Sequence, residues 1–239
     1  MPITDLGLSE PLVRALSQFD EATPVQVAAI PAALAGRDLL VTARTGSGKT
    51  TAFVLPILEK WLAASRSKPK RLHALILVPT RELAAQVREV MQDYARELPE
   101  RIKVVSAVGG VSINPQMMAL RGGADVIVAT PGRLLDLVDH NAVSLEEVGT
   151  LVLDEADRML DLGFADELSQ ILSMLPDERQ NLLFSATFPE KIESIARDFL
   201  RDPKRIEIES EPEEIPDIEQ RAIRVDTAKR TPLLRRLIA

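Results

Sequence analysis

Short aliphatic runs alternate with longer segments of helical period along most of this chain. The runs are "DLLVTA" (38–43), "HALILVP" (73–79), "KVVSAV" (103–108), "DVIVAT" (125–130), "TLVLDE" (150–155), "NLLFSA" (181–186) and "RIEIES" (205–210). Between them the pattern predicts helices over 49–63, 81–97, 113–121, 132–139, 161–174 and 189–200. Strands that are apolar throughout are buried on both faces, and their alternation with helices predicts an α/β fold with a parallel β-sheet covered by helices on both faces. Ligands of such sheets bind beyond the carboxyl ends of the strands. The pattern changes after the last run. "ESEPEEIPDIEQ" (209–220) is acidic, holds two prolines and reads as a linker. Residues 221–239 then open a new strand and a helix with Leu233, Leu234, Leu237 and Ile238 on one face. They read as the start of a second domain, or else as a tail folding back on the first.

Composition narrows the class. The 239 residues suffice for one large domain, or one plus part of another, and 46% are hydrophobic. With no cysteine there is no disulfide and no thiolate metal site, which fits a reducing cytoplasm. The opening "MPITDLGLSE" does not read as a signal peptide, and no uncharged apolar stretch is long enough to span a bilayer, so a cytoplasmic protein without a membrane partner is expected. The net charge of -7 argues against an obligate nucleic-acid coat protein but leaves room for a local groove. Aromatics at 3% argue against a base-stacking platform, so nucleic-acid contacts would go to phosphates and sugars.

Two stretches carry chemistry. "ARTGSGKTTAF" (43–53) follows the first strand and opens a helix. Gly46 and Gly48 let the backbone curl so that its N–H groups point at an anion, Lys49 adds charge for β and γ phosphates, and Thr50 offers a hydroxyl to Mg²⁺. Arg44, Thr45, Ser47 and Thr51 complete the candidate phosphate loop. Ala43 stands where the strict motif has its first glycine, and the bland alternative is a glycine-rich turn with a chance lysine. "VGTLVLDEADRML" (148–160) ends a buried strand in three carboxylates, which repel one another unless something positive sits among them. Asp154 could hold Mg²⁺ through water beside Thr50, and Glu155 could orient or deprotonate an attacking water. A lone acid at a strand end is more often a helix cap or a surface group. Asp157 has no place in this chemistry.

"DEAD" (154–157) and "SAT" (185–187) resemble the DEAD-box RNA helicases. So do "ATPVQ" (22–26), "ARTGSGKT" (43–50), "PTREL" (79–83), "GG" (109–110) and "TPGR" (130–133), all in family order across residues 1–208. Residues 109–137 look especially like the bacterial RhlE-like branch. The resemblance implies two RecA-like P-loop NTPase domains, of which 1–208 is the N-terminal one. It also implies ATP hydrolysis coupled to local opening of RNA duplexes, with ATP and Mg²⁺ bound here and a C-terminal domain as partner. It implies that Asp157 bonds Ser185 or Thr187, although those two could equally cap a helix near Pro189. Gln26, with Thr23, matches the adenine-reading element. Ile3 stands where the family usually stacks an aromatic on adenine, so weaker base affinity is expected; Phe19 reads as core. Pro79, Thr80, Arg81, Gly110, Arg121, Thr130, Gly132 and Arg133 match motifs that contact the RNA backbone without a base code, whereas "TPGR" alone would be an ordinary turn.

The arginine that such phosphoryl transfer needs comes from the second domain in the family, so this chain is expected to bind nucleotide and hydrolyse it poorly. The apolar face at 233–238 could pair two copies. A nucleotide-dependent RNA clamp that never unwinds, and a P-loop NTPase of another class such as a DNA translocase, are the rival readings. "RSKPKR" (66–71) reads as a solvated loop, His73 and His140 lack metal-ligand spacing, Trp61 reads as partly buried, and packing accounts for Gly163 and Phe164.

Overall fold

The structure is a computed structural model. It describes residues 1–17, 19, 21–64, 71–188, 190–208, 223–226 and 229–238. The chain divides into two compact units, Met1–Glu209 and Ser210–Ala239. The linker expected at 209–220, and most of the basic run at 66–71, lie outside the described residues.

All seven predicted strands form in the first unit: β1 (Leu39–Thr42), β2 (Ala74–Leu77), β3 (Val104–Ala107), β4 (Val126–Ala129), β5 (Thr150–Leu153), β6 (Gln180–Ser185) and β7 (Lys204–Glu207). They make one parallel sheet in the order β3-β4-β2-β5-β6-β1-β7. β2, β4, β5 and β6 are buried at every position, as continuous apolar runs require. Successive side chains point to opposite faces. Leu39, Val41, Ile76, Val128 and Phe184 pack with α1 (Glu10–Ala15), α2 (Pro24–Leu34), α3 (Lys49–Ala63) and α4 (Arg81–Ala95). Leu40, Leu75, Ile127, Leu151 and Leu183 pack with α5 (Asn114–Leu120), α6 (Pro131–Asp139), α7 (Ala156–Asp161), α8 (Ala165–Met174) and α9 (Glu190–Phe199).

The helices differ from expectation in two places. Nothing in the pattern marks α1 or α2, because α1 is one short turn and a half and α2, "PVQVAAIPAAL", is apolar nearly all round and so has no polar face to set a period. The helix expected over 161–174 begins only at Ala165, and a separate helix that the pattern did not mark, Ala156–Asp161, precedes it, with Gly163 between them at a φ of 89°. A Cβ at Gly163 would meet nothing within 4 Å, so its backbone conformation, not packing, accounts for it. Trp61 is fully buried rather than partly so. In the second unit α10 (Arg230–Ile238) forms, while residues 223–226 of the expected strand are not in one. Leu234 and Leu237 are exposed.

The strand order sorts the motifs. β5, β6 and β1 are neighbours, so "DEAD", "SAT" and the phosphate loop emerge side by side. β2, β4 and β3 are neighbours, so "PTREL", "TPGR" and "GG" emerge side by side further along the same edge.

At the opposite end of the sheet, buried Asp38 fixes the start of β1. Its Oδ1 accepts from the Asn181 N–H at 2.7 Å, and its Oδ2 accepts from Asn181 Nδ2 at 3.0 Å and from the Arg201 N–H at 2.8 Å. Removing the carboxylate strands buried donors of β6 and of the turn into β7. We expect Asp38→Ala to lower unfolding stability by about 2–3 kcal/mol, read as a lower urea midpoint; an unchanged midpoint would refute the role of Asp38.

Candidate functional site

The phosphate loop owes its curl to two left-handed glycines, Gly46 at φ 80° and Gly48 at φ 94°. Gly48 is the N-cap of α3, whose first residues are Lys49, Thr50 and Thr51. Arg44, Thr45 and Gly46 are exposed at the crest of the loop. Lys49 is buried, and its Nζ donates to the Ala43 carbonyl at 2.6 Å. The hydroxyl of Ser47 is buried and has no hydrogen-bond partner among the described residues. Thr50 is half-buried at the first turn, whereas the Thr51 hydroxyl is engaged by Tyr94 at 2.9 Å.

Gln26 is buried against this loop rather than facing solvent. Its Oε1 accepts from the Thr23 N–H at 3.0 Å, and its Nε2 donates to the Gly48 carbonyl at 3.4 Å. The Thr23 hydroxyl is buried and has no hydrogen-bond partner among the described residues. A Cβ at Gly48 would lie 2.6 Å from Gln26 Nε2 and 2.9 Å from Thr23 Oγ1, so only glycine permits this close approach.

The three carboxylates have three different settings. Asp154 is 3% exposed and its Oδ1 accepts from the Glu155 N–H at 3.0 Å. Burial pushes its carboxyl up to about 7, with the Lys49 charge pulling down and the Glu155 and Asp157 charges adding to the rise. Glu155 sits at φ 51°, ψ 50°, the left-handed region, which costs an acidic residue roughly 1–3 kcal/mol. Its Oε2 pairs with Arg158 Nη1 at 3.2 Å. Asp157 faces β6. Its Oδ2 accepts from the Thr187 N–H at 2.9 Å and from Thr187 Oγ1 at 2.8 Å, and its own N–H donates to Ser185 Oγ at 3.4 Å. Burial raises the Asp157 carboxyl, but the bonds from Thr187, Ser185 and Arg158 outweigh it and hold it below the usual carboxylate range. The "DEAD" and "SAT" segments are therefore in direct contact.

Along the rest of the edge, Pro79 and Thr80 follow β2, and Thr80 caps α4 by accepting from the Leu83 N–H at 3.3 Å. Arg81 pairs with Glu82 at 2.6 Å, and a Cβ at Gly110 would lie 3.4 Å from Arg81 Nη1, so "PTREL" and "GG" touch. Thr130 occupies the N-cap position of α6 without a side-chain cap bond among the described residues, with Gly132 and Arg133 in the first turn. Arg133 is turned inward. Its side chain is only 10% exposed, Nη2 donates to the Val111 carbonyl at 2.9 Å, Nε pairs with Asp136 at 3.3 Å, and Nη1 is buried with no partner among the described residues. Arg121 is not brought to this edge. It follows α5, and its carbonyl accepts from Lys103 Nζ at 2.9 Å, just ahead of β3 at the amino-terminal side of the sheet.

The family model for DEAD/DEAH box helicases matches residues 23–195. The chain belongs to this family. Among curated helicases, it is 41% identical to the DEAD-box ATP-dependent RNA helicase CshA of Geobacillus kaustophilus over 98% of this chain and 49% of that protein. It is 41% identical to CshA of Streptococcus pneumoniae serotype 4 over 100% of this chain and 45% of that protein. The chain spans about half the length of these relatives. These two relatives carry the name CshA rather than RhlE. Among solved structures, a DEAD box protein from Methanococcus jannaschii matches with a TM-score of 0.79 at 33% identity, over 100% of this chain and 63% of that one. A hypothetical ATP-dependent RNA helicase from Sulfolobus tokodaii matches with a TM-score of 0.76 at 36% identity, over 84% of this chain and 57% of that one.

Two features of this DEAD-box domain escaped the sequence reading. Phe19 is 48% exposed rather than core, and with Ile3, Leu6, Gln26, Gly48 and Tyr94 it lines a cavity of about 210 Å³ beside the phosphate loop. Ile3 is itself buried at 6% exposure. The other is Arg158, which gives Glu155 its cation. A wider cleft of about 510 Å³ between α8 and α9 touches neither group of motif loops.

Asp154 carries a pH signature. Its folded value of about 7 exceeds the ordinary 3.8, so the folded state binds the proton more tightly than the unfolded one. The ionised carboxylate therefore costs nothing below pH ~4 and costs progressively more stability as pH rises to ~7. In metal-free buffer we expect Asp154→Asn to be the more stable protein at pH 8, by roughly 2–4 kcal/mol, with the gap closing toward pH 4. Urea midpoints at the two pH values check this; a parent at least as stable as the variant at pH 8 would contradict it.

Proposed function

We propose that residues 1–208 are the N-terminal RecA-like domain of an ATP-dependent RNA helicase acting in the cytoplasm. The domain binds ATP with Mg²⁺ at one end of the carboxyl edge and the backbone of single-stranded RNA at the other. The observation that carries this reading is the direct bonding of Asp157 to Thr187 between two strands that also frame the phosphate loop.

The residues fit a Mg²⁺-bound triphosphate. Among the described residues no three or more His, Asp or Glu converge on one point, so the protein offers no closed metal cage. Mg²⁺ rarely needs one; it keeps several waters and takes one or two protein ligands plus phosphate oxygens. Thr50 and Asp154 are those ligands, and the bound ion would supply charge neutralisation for the phosphates. The buried, unpartnered hydroxyl of Ser47 belongs to a loop whose N–H groups cradle phosphate. Lys49 exchanges its bond to the Ala43 carbonyl for phosphate oxygens. Glu155 orients the attacking water. Gln26 reads the adenine edge, since an amide donates and accepts at once. Phe19 offers the base the π face that Ile3 cannot.

At the RNA end, the N–H groups of Arg81 and Gly132 in the first turns of α4 and α6, with Gly110 between them, suit phosphate and sugar, so binding is independent of sequence. A preference for RNA over DNA would come from the 2′-OH. Residues 221–239 begin a second RecA-like domain, and that domain supplies the transition-state arginine. Exposed Leu234 and Leu237 are consistent with a face that pairs copies of this chain.

Two measurements test the reading. ATP turnover by the 239-residue chain, with and without a uridine 12-mer, should be near zero at every protein concentration. Brisk turnover independent of concentration would mean the chain supplies its own transition-state cation and would overturn the two-domain reading. Turnover rising faster than concentration would show copies completing one another's sites. In equilibrium binding, Gly48→Ala should weaken a fluorescent ATP analogue at least tenfold, about 1.4 kcal/mol, because the added Cβ strikes Gln26 and Thr23; unchanged affinity would place the nucleotide elsewhere.

A further inference from the structure

The loop between β3 and α5, residues 108–113, carries Gly109 and Gly110 beyond the carboxyl end of β3. Gly110 is left-handed at φ 77°, and Gly110, Val111 and Ser112 are exposed. Two largely buried polar side chains hold this loop. Gln116, in the first turn of α5, is 9% exposed. Its Oε1 accepts from the Val108 N–H at 3.0 Å, and its Nε2 donates to the Val108 carbonyl at 3.0 Å and the Ser112 carbonyl at 3.4 Å. Arg133, in the first turn of α6, reaches the same loop through the Val111 carbonyl, while Asp136 holds its Nε.

These bonds sort the loop's backbone by polarity. The carbonyls of Val108, Val111 and Ser112 are taken by side-chain donors. The N–H groups of Gly109, Gly110, Val111 and Ser112 have no hydrogen-bond partner among the described residues. Successive free N–H groups beside a left-handed residue favour an anion, and a free carbonyl among them would repel it. Packing alone does not explain Arg133, because a buried, unpaired Nη1 destabilises the fold.

We infer that Gln116 and Arg133 are positioning residues for RNA: they occupy the carbonyls of the 108–112 loop and leave its exposed rim to N–H donors. The inference rests on the proposed RNA contact of this loop. It separates Arg133 from the direct phosphate contact that "TPGR" suggested. The Arg133 charge stays with Asp136, and its effect on RNA passes through Val111. Gln116, which no motif marks, acts on the same loop through Val108 and Ser112.

A direct contact and a positioning role differ in their salt dependence. The probe is a fluorescein-labelled uridine 12-mer, titrated by anisotropy against the 239-residue chain between about 0.05 and 0.2 M salt. Arg133→Gln and Gln116→Met should each weaken RNA binding by about three- to tenfold, the worth of one or two hydrogen bonds. The slope of log affinity against log salt should not change, because no charge is withdrawn from phosphate. Arg133→Lys keeps the charge but lacks the fork that serves Val111 and Asp136 together, so it should bind as weakly as Arg133→Gln. The double variant should lose less than the two single losses combined, since both act on one loop.

A slope shallower by about 0.7 in Arg133→Gln, with affinity restored in Arg133→Lys, would make Arg133 a phosphate contact and overturn the inference. An equal loss of affinity for a fluorescent ATP analogue would mark general loosening and overturn it too. Val111→Asp, which puts a carboxylate on the exposed loop, tests the underlying reading. If it leaves RNA affinity unchanged, or the parent chain binds no RNA, the RNA reading of the loop fails and the inference with it. If Val111→Asp weakens binding while the Gln116 and Arg133 variants bind like the parent, the inference alone fails.

Discussion

Strand β6 is paired with β1 on one side and with β5 on the other, and the phosphate-loop, "DEAD" and "SAT" segments take their places from that pairing. Thr42 lies beside Ser185, and Leu153 beside Leu183, so three loops leave the sheet from three adjacent strands. A slip of one residue would turn the apolar side chains of β6 to the wrong faces and carry Ser185 away from Asp157. The buried contacts of Asp38 with Asn181 and Arg201 secure the same register from the far end. The chemistry at one end of the sheet therefore depends on hydrogen bonds at the other.

A cluster of three acids is stable here because each acid has its own answer to its charge. Asp154 is buried and moves toward the protonated form unless a cation other than Lys49 is supplied. Asp157 is satisfied by hydroxyl and amide donors from the neighbouring strand. Glu155 is met by an arginine and carries backbone strain. The same physical problem, like charges in a small volume, is thus answered in three ways: by burial with a raised proton affinity, by donors from the neighbouring strand, and by a nearby arginine.

The sheet was legible because its strands are uninterrupted aliphatic runs, and the phosphate loop because glycine spacing and a lysine leave few alternatives. Other parts were not legible, for identifiable reasons. Helix α2 is apolar nearly all round, so periodicity could not reveal it. Phe19 looked like core because it is a large apolar residue; only the close packing of α1, α2 and the phosphate loop shows that its neighbour Ile3 fills that space first. Arg121 and Arg133 have a residue type suited to phosphate, but one lies at the amino-terminal end of the sheet and the other bonds Val111 and Asp136. Whether an arginine is free is a property of tertiary contacts and not of motif spacing. Arg158 escaped for the converse reason, since its significance lies in a partner three residues back.

The parallel order also has a consequence for how the chain is made. Leu39 pairs with Leu182 on one side and Lys204 on the other, so β1 has no strand partner until about 140 residues after it have been synthesised. At ribosomal speeds of about 5–20 residues per second, the phosphate loop emerges and waits roughly 7–28 s for the strands that will hold it. β2, β3 and β4 are close in sequence and can pair during that interval. The newborn chain thus completes the β3-β4-β2 half of its sheet first, and its earliest glycine-rich segment is among the last to be anchored.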